Sequence, residues 1–385
     1  MANASRMSRE LRPGPAELLR RLRRVAIVAA LVALIPAVVS FTEMASSPSN
    51  TALGVRSVEW LRDNGLVGVV AQVENWYYTL TAPAKGGPTL KSLPNVGRGA
   101  VVASHVSAIR AGLRPARVRP LIWPWLAGEG VWHATRPDLG KQPPLLVTTI
   151  RDEPDYPRVV VGMAWINTKQ THIALYPGRL EPAVTLPTRG PMEVPLANRG
   201  SLLATFNSGF KLSDSLGGYT VYGHTYAPMV NGLATFVGYR NGRVDIVDWK
   251  FGKRAPAGIS YARQNLPLIV NDGRPNPTLS TTSAWGTTVG NAILVWRSAI
   301  GIDRHGNLIY VAGNDQTVVS LAQALVRAGA VRAMELDINS YWVSFITYGG
   351  WNALAPANLL PDMNRPTTRY LTPDDRDFFA VYLNH

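Results

Sequence analysis

Two carboxylates set two residues apart in an otherwise apolar run, Arg332-Ala333-Met334-Glu335-Leu336-Asp337-Ile338-Asn339-Ser340, have the most chemistry to offer in this chain. Side chains alternate faces along a strand, so Glu335 and Asp337 share one face while Met334, Leu336 and Ile338 take the other. Burying an acid costs several kcal/mol unless it is paired, so the pattern marks either a structural ion pair or a site.

The elements that must position these acids follow from hydrophobic period. Beyond Pro144 the period is two, which predicts strands at 145–151, 159–167, 171–176, 202–206 and 266–270, the last ending in an Asn271-Asp272-Gly273 turn. A hairpin is expected from 232–239 to 244–249 about Arg240-Asn241-Gly242. Extended chain from 292–296 runs into Arg297 and turns back across 303–306 to a strand at 307–312. A helix at 318–328, with Leu321, Leu325 and Val326 on one face and Gly329 as its stop, then leads into the strand at 331–338. Strand, helix, strand predicts that 307–312 and 331–338 run parallel through a right-handed crossover. Asp337, Asn339 and Ser340 then stand past a strand's carboxyl end, where ligands bind in such arrangements, with Glu335 deeper. The segments 369–371 and 378–383 are expected to return as edge strands.

The N-terminal part reads differently. Residues 1–24 carry seven arginines against Glu10 and Glu17, and an apolar run follows from Val25 to Phe41. Its length is at the short end for a hydrocarbon layer about 30 Å thick, and the arginines would stay cytoplasmic. The reading is a signal anchor with the main domain extracytoplasmic; a cleaved signal peptide is the rival, although for cleavage after Ala45 the −3 position is Glu43, which spoils an A-x-A site. Pro36 is tolerated in a membrane helix. Val55 to Tyr77 follow a helical apolar period weakened by Gly65 and Gly68, fitting a helix that packs on the main domain, or a membrane-proximal or interaction helix. From Thr81 to Pro144 the chain is rich in Pro and Gly, with a short helix near 101–112. Trp123, Trp125 and Trp132 are read as buried anchors of this irregular segment, or as the lining of a sugar subsite.

Composition sets the outer bounds. The 385 residues are 46% hydrophobic and 17% charged, which fits a globular chain with a sizeable core. Absence of cysteine excludes disulfides, thiol nucleophiles and cysteine-ligated zinc, and six histidines without an HxH or HxxxH pair speak against a histidine metal site. No cofactor is expected, with a divalent cation left open although no D-x-D-x-D-G loop is present. Net charge +14 suits an anionic polymer or membrane surface. Nucleic acid is not expected as a partner, because the domain is read as lying outside and lacks basic-aromatic patterns. The fold class is therefore α+β: a mixed β-sheet domain with a few packed helices, preceded by one N-terminal transmembrane helix. Its expected divisions are a cytoplasmic basic tail at 1–24, the anchor at 25–41, a membrane-proximal helix and Pro/Gly-rich segment at 42–144, and the main domain at 145–385.

Three motifs in order, Phe206-Asn207-Ser208-Gly209-Phe210, then Arg297-Ser298-Ala299-Ile300-Gly301-Ile302, then the helix and Met334 to Ser340, resemble the phosphodiester glycosidase domain family. Family members usually read NGGFF, R-T/S-A-x-G and LDGGGS at these places, and the resemblance covers roughly 145–385. It is similar to an actinobacterial membrane-anchored branch with an LDIN form of the third motif. Asp337 is retained, whereas Ile338 and Asn339 stand where two glycines would be. The resemblance implies a hydrolase acting on a glycosyl phosphodiester of the cell envelope; the lost glycines leave a catalytically inactive glycan-binding module as the alternative.

In that chemistry Arg297 offers a bidentate fork for phosphate oxygens, or else an ion-pair partner for Glu335 or Asp337. Asp337 is the nucleophile or general base, or else a loop cap; Glu335 is a supporting or ion-paired group. Paired carboxylates about 5–5.5 Å apart retain and about 6.5–9.5 Å apart invert, and residues two apart on a strand, with Cα atoms about 6.5 Å apart, permit both. His224 is a proton donor near neutral pH, or a structural turn residue. Asn207 orients substrate or serves the turn, Gly209 lets the loop turn, and Asn339 and Ser340 line the mouth. Asp272 and Asp303 are expected to cap turns.

Overall fold

The computed structural model describes residues 15–94, 96, 114–140, 142–280, 285 and 294–384, and its fold is α+β, built on three sheets in which each strand pair is antiparallel. The largest sheet runs, in spatial order, His133–Ala134, Leu145–Ile150, Val161–Ile166, Leu308–Gln316, Val295–Asp303, Ala330–Glu335, Leu268–Asn271 and Arg274–Pro275. A second has the order Pro356–Asn358, Phe345–Tyr348, Leu202–Asn207, Phe378–Leu383 and Thr171–Tyr176. The third has His224–Ala227, Tyr219–Val221, Ile259–Gln264, Ala234–Tyr239 and Val244–Asp248.

Aromatic residues join the three sheets. Phe206 stacks on Phe345 and Phe379 of its own sheet, Tyr310 of the largest sheet leans on Phe345 at 4.8 Å, and Phe236 of the third meets Phe379 at 4.5 Å. Helix Val318–Arg327 packs Leu321, Ala324 and Leu325 against the largest sheet. It begins at a capping box in which Thr317 and Ser320 satisfy each other's backbone N–H groups, and Gly329 follows it at φ +101°.

Several sequence expectations are corrected. The strands Leu308–Gln316 and Ala330–Glu335 do run in the same direction, but Val295–Asp303 lies between them and pairs antiparallel with both. The crossover thus spans one strand rather than joining neighbours, because the hairpin from Val295–Asp303 to Leu308–Gln316 already occupies one side. Phe378–Leu383 is not an edge strand: it pairs with Leu202–Asn207 on one side and Thr171–Tyr176 on the other, which its nearly unbroken apolar run accommodates. Arg369–Leu371 is a short 3-10 turn, not a strand. The helical run around Gly65 is broken there, with Gly65 at φ +87° between helices Leu53–Leu61 and Val67–Thr81. Trp132 is buried and donates its Nε1–H to Ala116 O at 2.8 Å, but Trp123 is 77% and Trp125 52% exposed, so neither is a buried anchor. The helix expected near 101–112 lies outside the described residues.

Two units divide the chain. The first, Met1–Pro48 with Ala52–Val67, contains helix Pro15–Ser46, which is exposed along most of its length and long and apolar enough to cross a membrane. That is consistent with a single-pass anchor or a signal sequence. The second, Ser49–Thr51 with Gly68–His385, contains the three sheets. Ser49 and Thr51 donate their hydroxyls to Asp375, and Asn50 Nδ2 donates to Asp374 at 3.0 Å, so this short segment is part of the sheet-bearing unit.

Candidate active site

Antiparallel register brings the second and third motifs together. Ala299 faces Glu335 across the Val295–Asp303 and Ala330–Glu335 pair, and Ser298 O accepts from Leu336 N at 2.8 Å. Arg297 therefore lies diagonally opposite Glu335, and its Nη1 donates to Glu335 Oε1 at 2.6 Å. The same guanidinium donates to the carbonyls of Trp285 and Gln316, leaving Nη2 without a partner among the described residues. Gln316 carries the chain of contacts onward, donating to Asp152 Oδ1 at 3.3 Å.

Glu335 is wholly buried, and its Oε2 has no hydrogen-bond partner among the described residues. Burial pushes its carboxyl up to about 7; the Arg297 charge and hydrogen bond oppose the rise and the Asp337 charge adds to it. Burial likewise pushes Asp152 up to about 7, helped by the neighbouring Glu153 charge. Glu335 is thus a carboxyl that can hold a proton near neutral pH.

Asp337 has a different environment two residues on. Its Oδ1 accepts from Asn339 N at 2.9 Å, and its Oδ2 accepts from Arg376 Nη2 at 2.7 Å. Ser298 Oγ donates to the Asp337 carbonyl at 2.7 Å, and Asp337 N donates to Ser208 O, so all three motifs meet at this residue. Arg376 also donates to Gly209 O at 3.3 Å, tying the first motif to the same guanidinium.

The first motif supplies a brace between sheets. Asn207 Oδ1 accepts from Tyr310 Oη at 2.9 Å and from Ser344 N at 3.0 Å, while Nδ2 donates to Ser208 O and Ser298 Oγ, each at 3.0 Å. These bonds use the full hydrogen-bonding capacity of the amide. At Gly209 an added Cβ would stand 3.1 Å from Asn265 Cγ, and Asn265 in turn donates to Glu335 O at 2.6 Å. Ser208 Oγ is buried without a partner among the described residues.

Past Asp337 the chain needs no glycine: none of residues 338–342 has a positive φ. Asn339 accepts from Tyr341 N and Trp342 N and closes the turn, and Ser340 O accepts from Asn364 Nδ2. The buried Trp342 ring lies within 5.0–5.5 Å of the guanidinium carbons of Arg365, Arg369 and Arg376. Burial works against ionisation of Asp374, yet the charges of Arg369 and Arg365 and the Arg369 hydrogen bond hold its carboxyl below the usual range. Asp374 Oδ1 accepts from Arg376 N, which fixes the arginine that reaches Asp337.

The structure thus assembles Asp337, Glu335, Arg297, Asn207, Gly209 and Asn339 through direct contacts, with Ser340 at the adjoining turn. His224 stands apart: it is exposed on the edge strand His224–Ala227 with its ring near Tyr226, and no hydrogen bond among the described residues links it to this cluster. Sequence reasoning missed Arg376, Ser298, Ser208 and Trp342. The signal for Arg376 was the run Asp374-Asp375-Arg376-Asp377 before an apolar strand, four charged residues that are all buried. Among the described residues no group of His, Asp and Glu is disposed to hold a metal ion.

Residues 198–337 match the family model for phosphodiester glycosidase, a span that takes in the first two motifs and ends at Asp337. Among solved structures the chain is similar to the zebrafish N-acetylglucosamine-1-phosphodiester alpha-N-acetylglucosaminidase catalytic domain auto-inhibited by pro-peptide, at 15% identity over 64% of this chain and 85% of that one, with a TM-score of 0.42. A hypothetical protein from Synechocystis is similar at 14% identity, over 62% of each chain, with a TM-score of 0.37. A putative exported protein from Burkholderia pseudomallei is similar at 11% identity over 60% and 75%, with a TM-score of 0.34. No curated protein matches the sequence.

Proposed function

We propose that this chain is a membrane-anchored, extracytoplasmic hydrolase that cleaves a glycosyl phosphodiester of the cell envelope. The observation that carries the reading is the pair of unlike carboxyls two residues apart within the matched span: Glu335 raised to about 7 beside Arg297, and Asp337 held by Arg376. Glu335 is thereby the proton holder of the pair, while both Asp337 carboxylate oxygens accept hydrogen bonds, from Asn339 N and Arg376 Nη2. In the proposed roles Asp337 attacks the anomeric carbon or activates water, Glu335 gives or takes the proton, and Arg297 Nη2 meets a phosphate oxygen. Phosphate is a good leaving group, so the burden on the acid is light. Asn207 and Gly209 act by holding the loop, and Asn339 by holding the Asp337 carboxylate. The actinobacterial membrane-anchored branch remains the proposed relationship, supported by the apolar helix Pro15–Ser46 and the LDIN motif.

The alternative is a glycan-binding module on the same fold, and the close packing of Trp342 against three guanidiniums in place of small residues favours it. Full-length protein in detergent, offered a panel of chromogenic glycosyl phosphodiesters beside Asp337→Asn and Arg297→Ala, separates the two. Turnover that both substitutions abolish supports the hydrolase; no turnover above the variants across the panel supports the module.

A further inference from the structure

A cleft lies at the opposite ends of the strands Val295–Asp303 and Ala330–Glu335. Arg297 and Glu335 stand at one end; at the other, Ile302 to Gly306 and Val331 to Arg332 line a cleft of about 670 Å³. Along an extended chain, Arg297 and Ile302 are roughly 17 Å apart. Four basic side chains, Lys169, Arg243, Arg304 and Arg332, face two acids, Asp245 and Asp303, an excess of two positive charges.

Both acids are already engaged. Asp245 is paired with Arg332 at 2.6 Å, and Asp303 Oδ1 accepts from His305 N and Asn307 N within its own turn. Lys169, Arg243 and Arg304 are exposed and pair with no carboxylate among the described residues. Arg243 lies over the Tyr239 ring at 4.4 Å, and three cations without a carboxylate partner around one concavity focus a positive potential there and favour an anion over any neutral ligand. In the remaining polar lining Thr168 Oγ1 donates to Gly306 O, Asn241 Oδ1 accepts from Arg243 N and Asn384 Nδ2 donates to Lys169 O, which leaves the accepting side of the hydroxyl, the Asn241 amide N–H groups and Asn384 Oδ1 as groups of the kind that bond sugar or polyol hydroxyls. No Phe, Tyr or Trp lines the cleft, so the stacking platform that single-stranded nucleic acid requires is missing from its described lining.

We infer that this cleft is a secondary binding site for a phosphate-bearing polyol or glycan chain, held by Lys169, Arg243 and Arg304 away from the candidate active site. It goes beyond the hydrolase reading and does not depend on it, because its test reads binding rather than turnover.

The experiment uses the full chain in detergent and a dye-labelled glycerol phosphate oligomer, with binding followed by anisotropy over a salt series. Lys169→Gln/Arg243→Gln/Arg304→Gln is compared with a charge-matched control on another surface, Lys250→Gln/Lys253→Gln/Arg254→Gln, with a single-stranded oligonucleotide of equal charge as the competing ligand. The expected result is a loss of about tenfold or more in the cleft variant, with a log-salt slope shallower by about 2, and a change within about twofold in the control. Equal losses in both variants would show a diffuse effect of net charge and overturn the site. Equal affinity for the oligonucleotide, with the same dependence on the three residues, would overturn the glycan assignment. All six side chains are exposed, and matched circular dichroism spectra establish that each variant is folded.

Discussion

Arg376 Nη2 stands 2.7 Å from Asp337 Oδ2, joining residues 39 apart in sequence and making a residue outside all three motifs the partner of the candidate nucleophile. Both side chains are nearly buried, so the pair is shielded from solvent screening. Arg376→Gln removes the cation hydrogen-bonded to a buried carboxylate on which the Arg369 charge also acts, and should cost about 3–5 kcal/mol of stability. Arg376→Lys keeps the charge but cannot reproduce the contacts to both Asp337 and Gly209, so hydrolysis should fall by about 10²-fold while the fold is kept. Steady-state kinetics beside urea unfolding distinguish the two; unchanged rates in Arg376→Lys would remove Arg376 from the site.

The Arg297–Glu335 pair predicts a pH signature. The folded carboxyl titrates at about 7, above its ordinary 4.5, so the folded state holds a proton that the unfolded state has released. Its contribution to stability is therefore most favourable below about pH 4.5 and is lost as pH rises to about 7, by roughly 1–3 kcal/mol. Glu335→Gln should reduce the slope of the stability profile across that interval, the share of Asp152, whose carboxyl is also pushed up to about 7, being kept. Arg297→Met should cost about 3 kcal/mol at pH 8 and less at pH 5, where Glu335 is protonated. Urea titrations at the two pH values decide it, and parallel profiles for wild type and Glu335→Gln would sink the assignment.

Asn207 is bonded on every side, so its loss should be felt in the fold before it is felt in substrate binding. Asn207→Ala strips partners from Tyr310, Ser298 and Ser344 N and should cost about 2–4 kcal/mol. The check is the melting temperature measured beside KM. A raised KM with an unchanged melting temperature would instead make Asn207 a substrate contact.

Ser49, Asn50 and Thr51 bind Asp375 and Asp374, whose neighbour is Arg376. Replacing all three by alanine should cost about 2–3 kcal/mol, since hydrogen bonds to charged groups are the stronger kind. Amide exchange at residues 374–376 should speed up in that variant. Unaltered exchange would show that the loop is held without them.

Much of this arrangement was legible from residue order. The period-two runs marked Leu145–Ile150, Val161–Ile166 and Thr171–Tyr176, and the apolar face with Gly329 marked helix Val318–Arg327, because local alternation reports which face is covered. The oddity of Glu335 and Asp337 in an apolar strand was visible too, since acids are expensive where their neighbours say core. What the sequence could not settle was partnership. Diagonal pairing of Arg297 with Glu335 depends on the register between Val295–Asp303 and Ala330–Glu335, and a slip of one residue would have turned the side chains to the other face. His224 carried a useful residue type in a useful-looking turn, yet lies on the outer strand of a different sheet. Arg376 reaches Asp337 only because Phe378–Leu383 inserts between Leu202–Asn207 and Thr171–Tyr176, setting the charged run before it beside the first and third motifs. Sequence determined which residues had to be buried and at what spacing; the tertiary structure alone decided which charges they would meet, because a buried charge is stabilised by neighbours that chain order does not specify.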